Sequence, residues 1–419
     1  MAKKKLDYKW NLIIMLWFAY FLNQGDRQVY NAVIPFIEND LGLTSVQTGL
    51  VATVFSIVYG CLVPFGGYLG DLLRRKWIVV TSLLIFSIGT LFTGFAGGLV
   101  ALIIMRGVTT GGGEAFYYPA ATSLITQYHE DTRATAMSIH QTSVYIGIIV
   151  SAFVAPLVAH AFGWRWSFLI FGTFGILVSI WIMFRMKDTK QMKKEAGRIP
   201  LKELIKGIFS KKTIWFLAIA FGCQVFVNIG ITTWSAKYFN LKFLGGDPST
   251  LSTASLIAML TSCGVAVFGV MAGGRISDRL AKKSKLARMR TEYVGLLCGF
   301  PFLVLVGFAP NIWIASIAMC IYGFFRGVYD SNLYAAMFDV IDPKLRASSV
   351  GIMTAFAFIM GCIAPVYLGA VQGDGTNLSN FSWGIASLGA FFLLGGIMIA
   401  LAAKFTFRKD YYEAAPAAE

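Results

Sequence analysis

Charge is what this chain has least of. Of its 419 residues, 14% are Asp, Glu, Lys or Arg, against about 25% in a soluble domain. Two or three soluble domains of this total length would need more polar side chain than exists to cover them. Acids are scarcer than bases, 21 Asp and Glu against 36 Lys and Arg, and histidine occurs three times. No cluster of His, Cys and acids has metal-ligand spacing, no nucleophile stands with a base, and no soluble domain is appended. The expectation is therefore no enzyme, no cofactor and no metal. The six cysteines (Cys61, Cys223, Cys263, Cys298, Cys320, Cys362) all fall inside apolar blocks and read as small hydrophobes without a structural disulfide. The short alternating segments of a β-barrel are also missing.

What is present is apolar. Hydrophobic residues make up 57% of the chain, the mean hydropathy is +0.67, and they run in blocks of about 20, enough to cross a hydrocarbon core of about 30 Å. The fold class is an all-α polytopic membrane protein. Sliding windows place twelve spans near 10–37, 46–70, 77–95, 100–126, 136–160, 165–185, 213–238, 250–274, 293–309, 312–336, 348–371 and 382–404.

The formal charge of +15 would suit nucleic acid, but its distribution argues against that. All but six of the 36 Lys and Arg lie at the termini or in every second interhelical loop; the exceptions are Arg27, Arg106, Arg165, Lys237, Lys242 and Arg326. That asymmetry puts the basic loops and both termini in the cytoplasm. The opening MAKKKLDYKW has no small-residue cleavage site, so no signal peptide is expected. Residues 186–212 form the only sizeable hydrophilic stretch, read as a basic cytoplasmic linker with an amphipathic helix on the anionic leaflet. It separates a six-helix bundle at 1–185 from a second at 213–419 that ends in a short cytoplasmic tail.

The halves repeat. Gly66-Gly67-Tyr68-Leu69-Gly70-Asp71 follows span 2, and Gly273-Gly274-Arg275-Ile276-Ser277-Asp278 follows span 8, each position shifted by 207. Asp131-Thr132-Arg133-Ala134 and Lys344-Leu345-Arg346-Ala347 occupy matching places after spans 4 and 10. Gly67 to Asp71 with Arg74-Arg75-Lys76 resembles the loop 2–3 signature of the major facilitator superfamily, with Leu72 and Arg74 departing from it. Gly274 to Asp278-Arg279 is the second copy. The resemblance implies two six-helix bundles around a cavity that opens alternately to each side. Gly67, Asp71, Arg75, Gly274, Asp278 and Arg279 would then form the cytoplasmic gate.

Few ionisable groups fall inside the spans: Asp26, Arg27, Arg106, Glu114, His140, Lys237, Arg326 and Asp330. Each costs about 2.5–3.5 kcal/mol at a helix centre, so they line a watery cavity or pair with one another. They concentrate in spans 1, 4 and 10, whereas spans 3, 6, 9 and 12 have apolar middles. In span 1, Gln24, Arg27 and Asn31 share one helical face. Asp26 points about 100° away toward another helix, and Gly25 lets a helix approach closely. In span 4, Gly111-Gly112-Gly113-Glu114 precedes Tyr117-Tyr118-Pro119, a segment expected to bend and admit a neighbour near Glu114. A phosphate-binding loop is excluded, since no strand precedes it and no Gly-Lys-Ser/Thr follows.

Asp26-Arg27 with Gly113-Glu114-Ala115 and Pro119 resembles the anion:cation symporters, a group that includes bacterial galactonate and hexuronate transporters, sialin and vesicular glutamate transporters. Gly163-Trp164-Arg165 and Phe168 fit it too. The resemblance implies that Asp26 and Glu114 carry protons and that Arg27 contacts substrate. The family's arginine stands seven residues before the span 4 glutamate; Arg106 stands eight before, and a bulge at the triple glycine would bring it into the cavity. Independently, burial disfavours a carboxylate's charged form while a nearby arginine favours it, so an anion arriving at Arg27 would release Asp26 to take a proton.

In span 10, Tyr322, Arg326 and Asp330 stand on one face, so Arg326 is either a second cation for the substrate or neutralised by Asp330. Span 7 adds Gln224, Asn228 and Ser235 on one stripe beside Trp234, and Tyr59, Tyr117, Gln141 and Tyr145 complete the candidate lining. Each of these also suits a plain helix–helix hydrogen bond, and His140 is assigned no role. Tyr, Asn, Gln and Trp match a hydroxylated acid. The expectation is a monomeric, proton-coupled importer of an organic anion, a sugar acid such as sialic acid, hexuronate or aldonate, in a bacterial inner membrane. The alternatives are sodium coupling, although no cage of acids and hydroxyls is visible, and a spinster-like lysolipid or sphingolipid transporter.

Overall fold

Within a bilayer an apolar run can satisfy its own backbone only as a helix, and the computed structural model is helical throughout its long segments. It describes residues 7–129, 131–187, 206–208, 210–342, 345–373 and 377–412, of which 67–72, 133–134 and 346–348 are described by backbone alone. Among the described residues, twelve long helices follow in order. The first six are α1 (Tyr8–Leu41), α2 (Ser45–Leu72), α3 (Arg75–Thr93), α4 (Leu99–Tyr128), α5 (Arg133–Phe162) and α6 (Trp164–Arg185). The second six are α7 (Lys212–Phe243), α8 (Pro248–Ala281), α9 (Ala287–Phe308), α10 (Ile312–Phe338), α11 (Ser349–Gln372) and α12 (Leu378–Phe405). All but α1 are long and apolar enough to cross a membrane. The polar run Asn23–Asn31 lowers the hydropathy of α1, which at 34 residues equals α8 in length. The amphipathic helix expected at 186–212 falls, for residues 188–205, outside the described residues.

Helix ends use the expected devices. Gly42 takes φ +62 and donates its N–H to the Glu38 carbonyl to close α1, a left-handed cap suited to glycine. Between α7 and α8, Asp247 accepts the Ser249 N–H at 2.8 Å, and hydrogen bonds from Ser249 hold its carboxyl below the usual range.

The chain divides into two compact units: 1–193 with 230–260 and 362–381, and 194–229 with 261–361 and 382–419. Helices α7, α8, α11 and, by its first turn, α12 therefore each contribute to both. In the first unit, Leu12, Leu16, Leu83, Phe86, Leu124 and Ile182 form a buried core between α1, α3, α4 and α6. Two glycines bring α1 against α5: a Cβ on Gly25 would lie 2.6 Å from Ser151 Oγ, and one on Gly147 would lie 2.6 Å from the Phe21 carbonyl. Gly25 thus admits α5, whereas the helix that Asp26 faces is α3. In this unit the piece of α11 makes a polar contact with α2 and another with the piece of α7. Thr53 Oγ1 donates to the Cys362 carbonyl at 2.6 Å, and Trp234 Nε1 to the Pro365 carbonyl at 3.0 Å.

Candidate functional site

Glu114 is the hub of a buried charge cluster in the first unit. Arg27 Nε on α1 donates to Glu114 Oε2 at 2.5 Å, and Arg106 Nη1, on α4 itself, lies 3.9 Å from Glu114 Oε1. Glu114 and Arg106 are buried, whereas the Arg27 side chain keeps 20% of its surface exposed. Asp26 is buried one residue away and turns toward α3, where Thr90 Oγ1 donates to its Oδ2 at 2.8 Å. Aromatic rings floor the cluster. The Arg27 guanidinium stands 4.2 Å over Tyr59 and 5.2 Å over Phe55; that of Arg106 stands 4.6 Å over Phe55 and 5.6 Å over Tyr30. Such stacking favours a guanidinium where water is excluded.

The backbone of α4 explains how Arg106 joins. Residues Ile103–Thr110 are wound as a wide π segment before Gly111–Glu114 resumes α geometry. A π turn absorbs one extra residue, which restores the phase that a spacing of eight would lose. The widening lies before the triple glycine rather than within it. Gly113 instead permits contact with α3, since a Cβ there would meet the Phe86 backbone nitrogen at 2.7 Å.

The four groups sum to two positive and two negative formal charges, yet their hydrogen bonds are unevenly distributed. Arg27 Nη2, Arg106 Nε and Nη1, Asp26 Oδ1 and Glu114 Oε1 are buried without a hydrogen-bond partner among the described residues. Buried polar atoms in native proteins are normally paired. Here unused guanidinium donors and carboxylate oxygens occur within one charge cluster. Chemically the cluster can accept a proton on a carboxylate and an anion on a guanidinium.

Other anticipated residues fall in several places. Gln24 Nε2 donates to Asn23 Oδ1 at 2.9 Å, and Asn31 is buried farther along α1. Tyr145 is half-buried and Gln141 exposed. Tyr117 corrects the expected lining: it is fully buried, its hydroxyl 2.6 Å from the Leu16 carbonyl and 3.1 Å from His140 Nε2, stacked on Tyr20. It is a helix-packing residue because the α1–α4–α5 contact surrounds it. In the second unit, Arg326 Nε lies 3.4 Å from Asp330 Oδ2, and Gln224 Nε2 donates to Asp330 Oδ1 at 3.2 Å. Tyr322 is buried on the same helix, and Asn228 is half-buried on α7. Among the gate residues, Arg75 Nη1 donates to Gln127 Oε1 at 3.1 Å. Gly274 has open space around it, and Asp278 and Arg279 are exposed. The side chains at Gly67 and Asp71 lie outside the described residues.

Sequence reasoning left several groups unassigned. Thr90, Phe55 and Tyr30 surround the cluster without an advance signal, except that Phe55 stands one turn before Tyr59. Lys237 pairs with Glu38 at 2.7 Å and with Ser45 Oγ at 2.8 Å. Glu292 is buried on the first turns of α9, just ahead of the span expected at 293–309.

Twelve long helices, eleven of them apolar enough to cross a membrane, and a buried charge cluster among α1, α3 and α4 fit a multi-pass membrane protein. Residues 16–365 match the Major Facilitator Superfamily, and the chain belongs to it. It is a transporter, not an enzyme. It is 26% identical over 405 residues to the hexuronate transporter of Bacillus subtilis (strain 168), covering 93% of this chain and 92% of that one. It is 24% identical over 368 residues to the sialic acid transporter NanX of Escherichia coli (strain K12), covering 86% and 88%. Those relatives are of the kind that the anion:cation symporter resemblance anticipated. The fold also matches a bacterial homolog of the human lysosomal transporter Spinster in an inward-facing, unoccupied conformation. That match has a TM-score of 0.82 and 21% identity over 99% of this chain and 100% of that one.

Proposed function

We propose that this chain carries a sugar acid in symport with protons, by alternating access, across a bacterial plasma membrane with both termini cytoplasmic. The observation that carries this reading is the Arg27–Glu114 contact at 2.5 Å beside unused donors of Arg27 and Arg106. A proton landing on Glu114 removes the charge that holds Arg27. The freed guanidinium then takes the substrate carboxylate through planar, paired hydrogen bonds that lysine cannot reproduce. Proton and anion thus enter together because each removes an obstacle to the other. Asp26, held by Thr90 rather than by Arg27, is the second proton carrier, working beside Glu114 instead of being released by the anion directly.

Two relatives named for hexuronate and sialic acid support a substrate with a carboxylate and several hydroxyls. The polar character of Gln24, Asn31 and Tyr59 around Arg27 suits such a ligand better than a lipid tail. Arg326, Gln224 and Asp330 are proposed as further substrate contacts, with Asp330 holding Arg326 until an anion competes. Lys237 and Glu38 tie α7 to the end of α1 remote from the termini, which in this orientation is the outer end.

The test is gradient-driven uptake in proteoliposomes with a hexuronate, a sialic acid and a lysolipid offered separately. Asp26→Asn or Glu114→Gln is expected to abolish accumulation driven by an inward proton gradient, while counterflow survives in at least one of them. Undiminished accumulation in both variants refutes proton coupling through these acids. Accumulation that follows a sodium gradient, or only the lysolipid, replaces the reading with one of its alternatives.

A further inference from the structure

A third buried acid lies far along the chain from Asp26 and Glu114. Glu292, on the first turns of α9, has no exposed surface, and both carboxylate oxygens are buried without a hydrogen-bond partner among the described residues. Its side of the helix faces α10. Gly295, three residues on and on the same face, packs so closely that a Cβ would lie 3.0 Å from the Tyr329 nitrogen and 2.9 Å from the Phe325 carbonyl. The Tyr329 hydroxyl is likewise buried without a partner. Two polar groups are thus stranded in one helix–helix interface.

The neighbouring charges do not rescue a carboxylate there. The charge acting on Glu292 is that of Asp339, of like sign. Arg288, four residues earlier on α9 and within side-chain reach on a helix surface, gives its guanidinium to Asp339 instead. The remaining titratable groups around Tyr329 are Asp330 and Tyr334 on α10 and Cys223 on α7, none of them a cation. An unpaired buried carboxylate costs several kcal/mol or more, and such groups take up a proton rather than bear that cost.

We infer that Glu292 is a proton-binding site in the second half of the molecule, loaded in this conformation and discharged when Arg288 turns from Asp339 to Glu292. On discharge the carboxyl O–H bond breaks, the proton leaves to water at the helix end, and the Arg288 guanidinium supplies the counter-charge. Asp339, half-buried near the end of the bundle, is left to solvent. The site is separate from Asp26 and Glu114 and does not depend on their role.

The experiment is infrared difference spectroscopy on the full chain in lipid at neutral pH. The wild type is expected to show protonated carboxylic acid absorption, one component of which Glu292→Gln removes and Tyr329→Phe retains. A band of equal intensity in wild type and Glu292→Gln overturns the inference. Thermal unfolding gives a second readout. A proton bound only in the folded state stabilises below the unfolded pKa and is lost as pH rises, so the wild-type midpoint should fall between about pH 6 and about pH 9 by at least about 2–4 °C more than that of Glu292→Gln. Equal slopes count against the site. Should Glu292→Gln fail to fold, the triple variant Asp26→Asn/Glu114→Gln/Asp330→Asn decides: a band that persists supports the site, and its disappearance overturns it. The uptake assay on Asp26 and Glu114 does not read this band, so the two readings fail independently.

Discussion

Replacing Arg27 by alanine separates binding of an anion from maintenance of the fold. The substitution removes a hydrogen bond to a charged acceptor at 2.5 Å and the stacking over Tyr59 at 4.2 Å. A hydrogen bond to a charged group is worth about 1.5–3 kcal/mol, roughly ten- to a hundredfold in affinity, and the same is expected for one made to a substrate carboxylate. A confounding cost accompanies it, because Glu114 is left with only Arg106 at 3.9 Å, and breaking a buried pair destabilises by about 3–5 kcal/mol. The double variant Arg27→Ala/Glu114→Gln removes that orphaned charge and should recover most of the thermal stability without recovering affinity. The assay is equilibrium binding of a hexuronate and of its uncharged amide. Wild type should prefer the acid strongly, Arg27→Ala and Arg27→Lys should weaken acid binding by the factor above, and Arg27→Ala should lose most of the preference. Full preference retained in Arg27→Ala would show that the carboxylate sits elsewhere and that Arg27 only packs helices.

Two further outcomes test the ends of the helices. Asp71→Asn, in the first copy of the repeated loop, is expected to reduce transport while leaving ligand affinity within about a few-fold if, as we propose, the motif closes a gate rather than contacting substrate; a loss of binding as large as that of Arg27→Ala refutes the gate role. At the other end, Lys237→Met strands Glu38, whose partner lies at 2.7 Å in a largely buried site, and should lower the unfolding midpoint by an amount corresponding to about 3–5 kcal/mol. Lys237→Met/Glu38→Gln should restore much of it, whereas additive losses in a thermal melt would mean that the two residues act separately.

The places where reading the sequence failed share a cause. Spans were legible because a bilayer demands unbroken apolar runs: all twelve are present, and only the end of α8 (Ala281 against 274) and the start of α9 (Ala287 against 293) miss by more than about five residues. Helix ends outside the hydrocarbon have no such constraint, so the polar run Arg288-Met289-Arg290-Thr291-Glu292 reads as loop although α9 begins at Ala287. That misplacement hid Glu292. Chain adjacency suggests that Arg27 governs Asp26, yet successive residues diverge by about 100° on a helix, and the two side chains meet different helices, α4 and α3. The π segment of α4 has no sequence signature of its own; only a spacing of eight residues where the family shows seven pointed to a local adjustment.

Long-range polar pairing was the least legible layer, and it is where the chemistry lies. Glu38 and Lys237 are 199 residues apart in sequence, and neither has a local feature that names the other. What the sequence does supply is scarcity. In a chain with so few membrane charges, each one must find a partner, a cavity or a proton. Asp330 finds Arg326, Glu38 finds Lys237, and Glu114 is shared between two arginines that keep donors in reserve. Only that last group combines excess donors, removable carboxylate charge and a partly exposed cation at Arg27. For this reason the proposed coupling of proton to anion is assigned to that group rather than to the better-satisfied pairs.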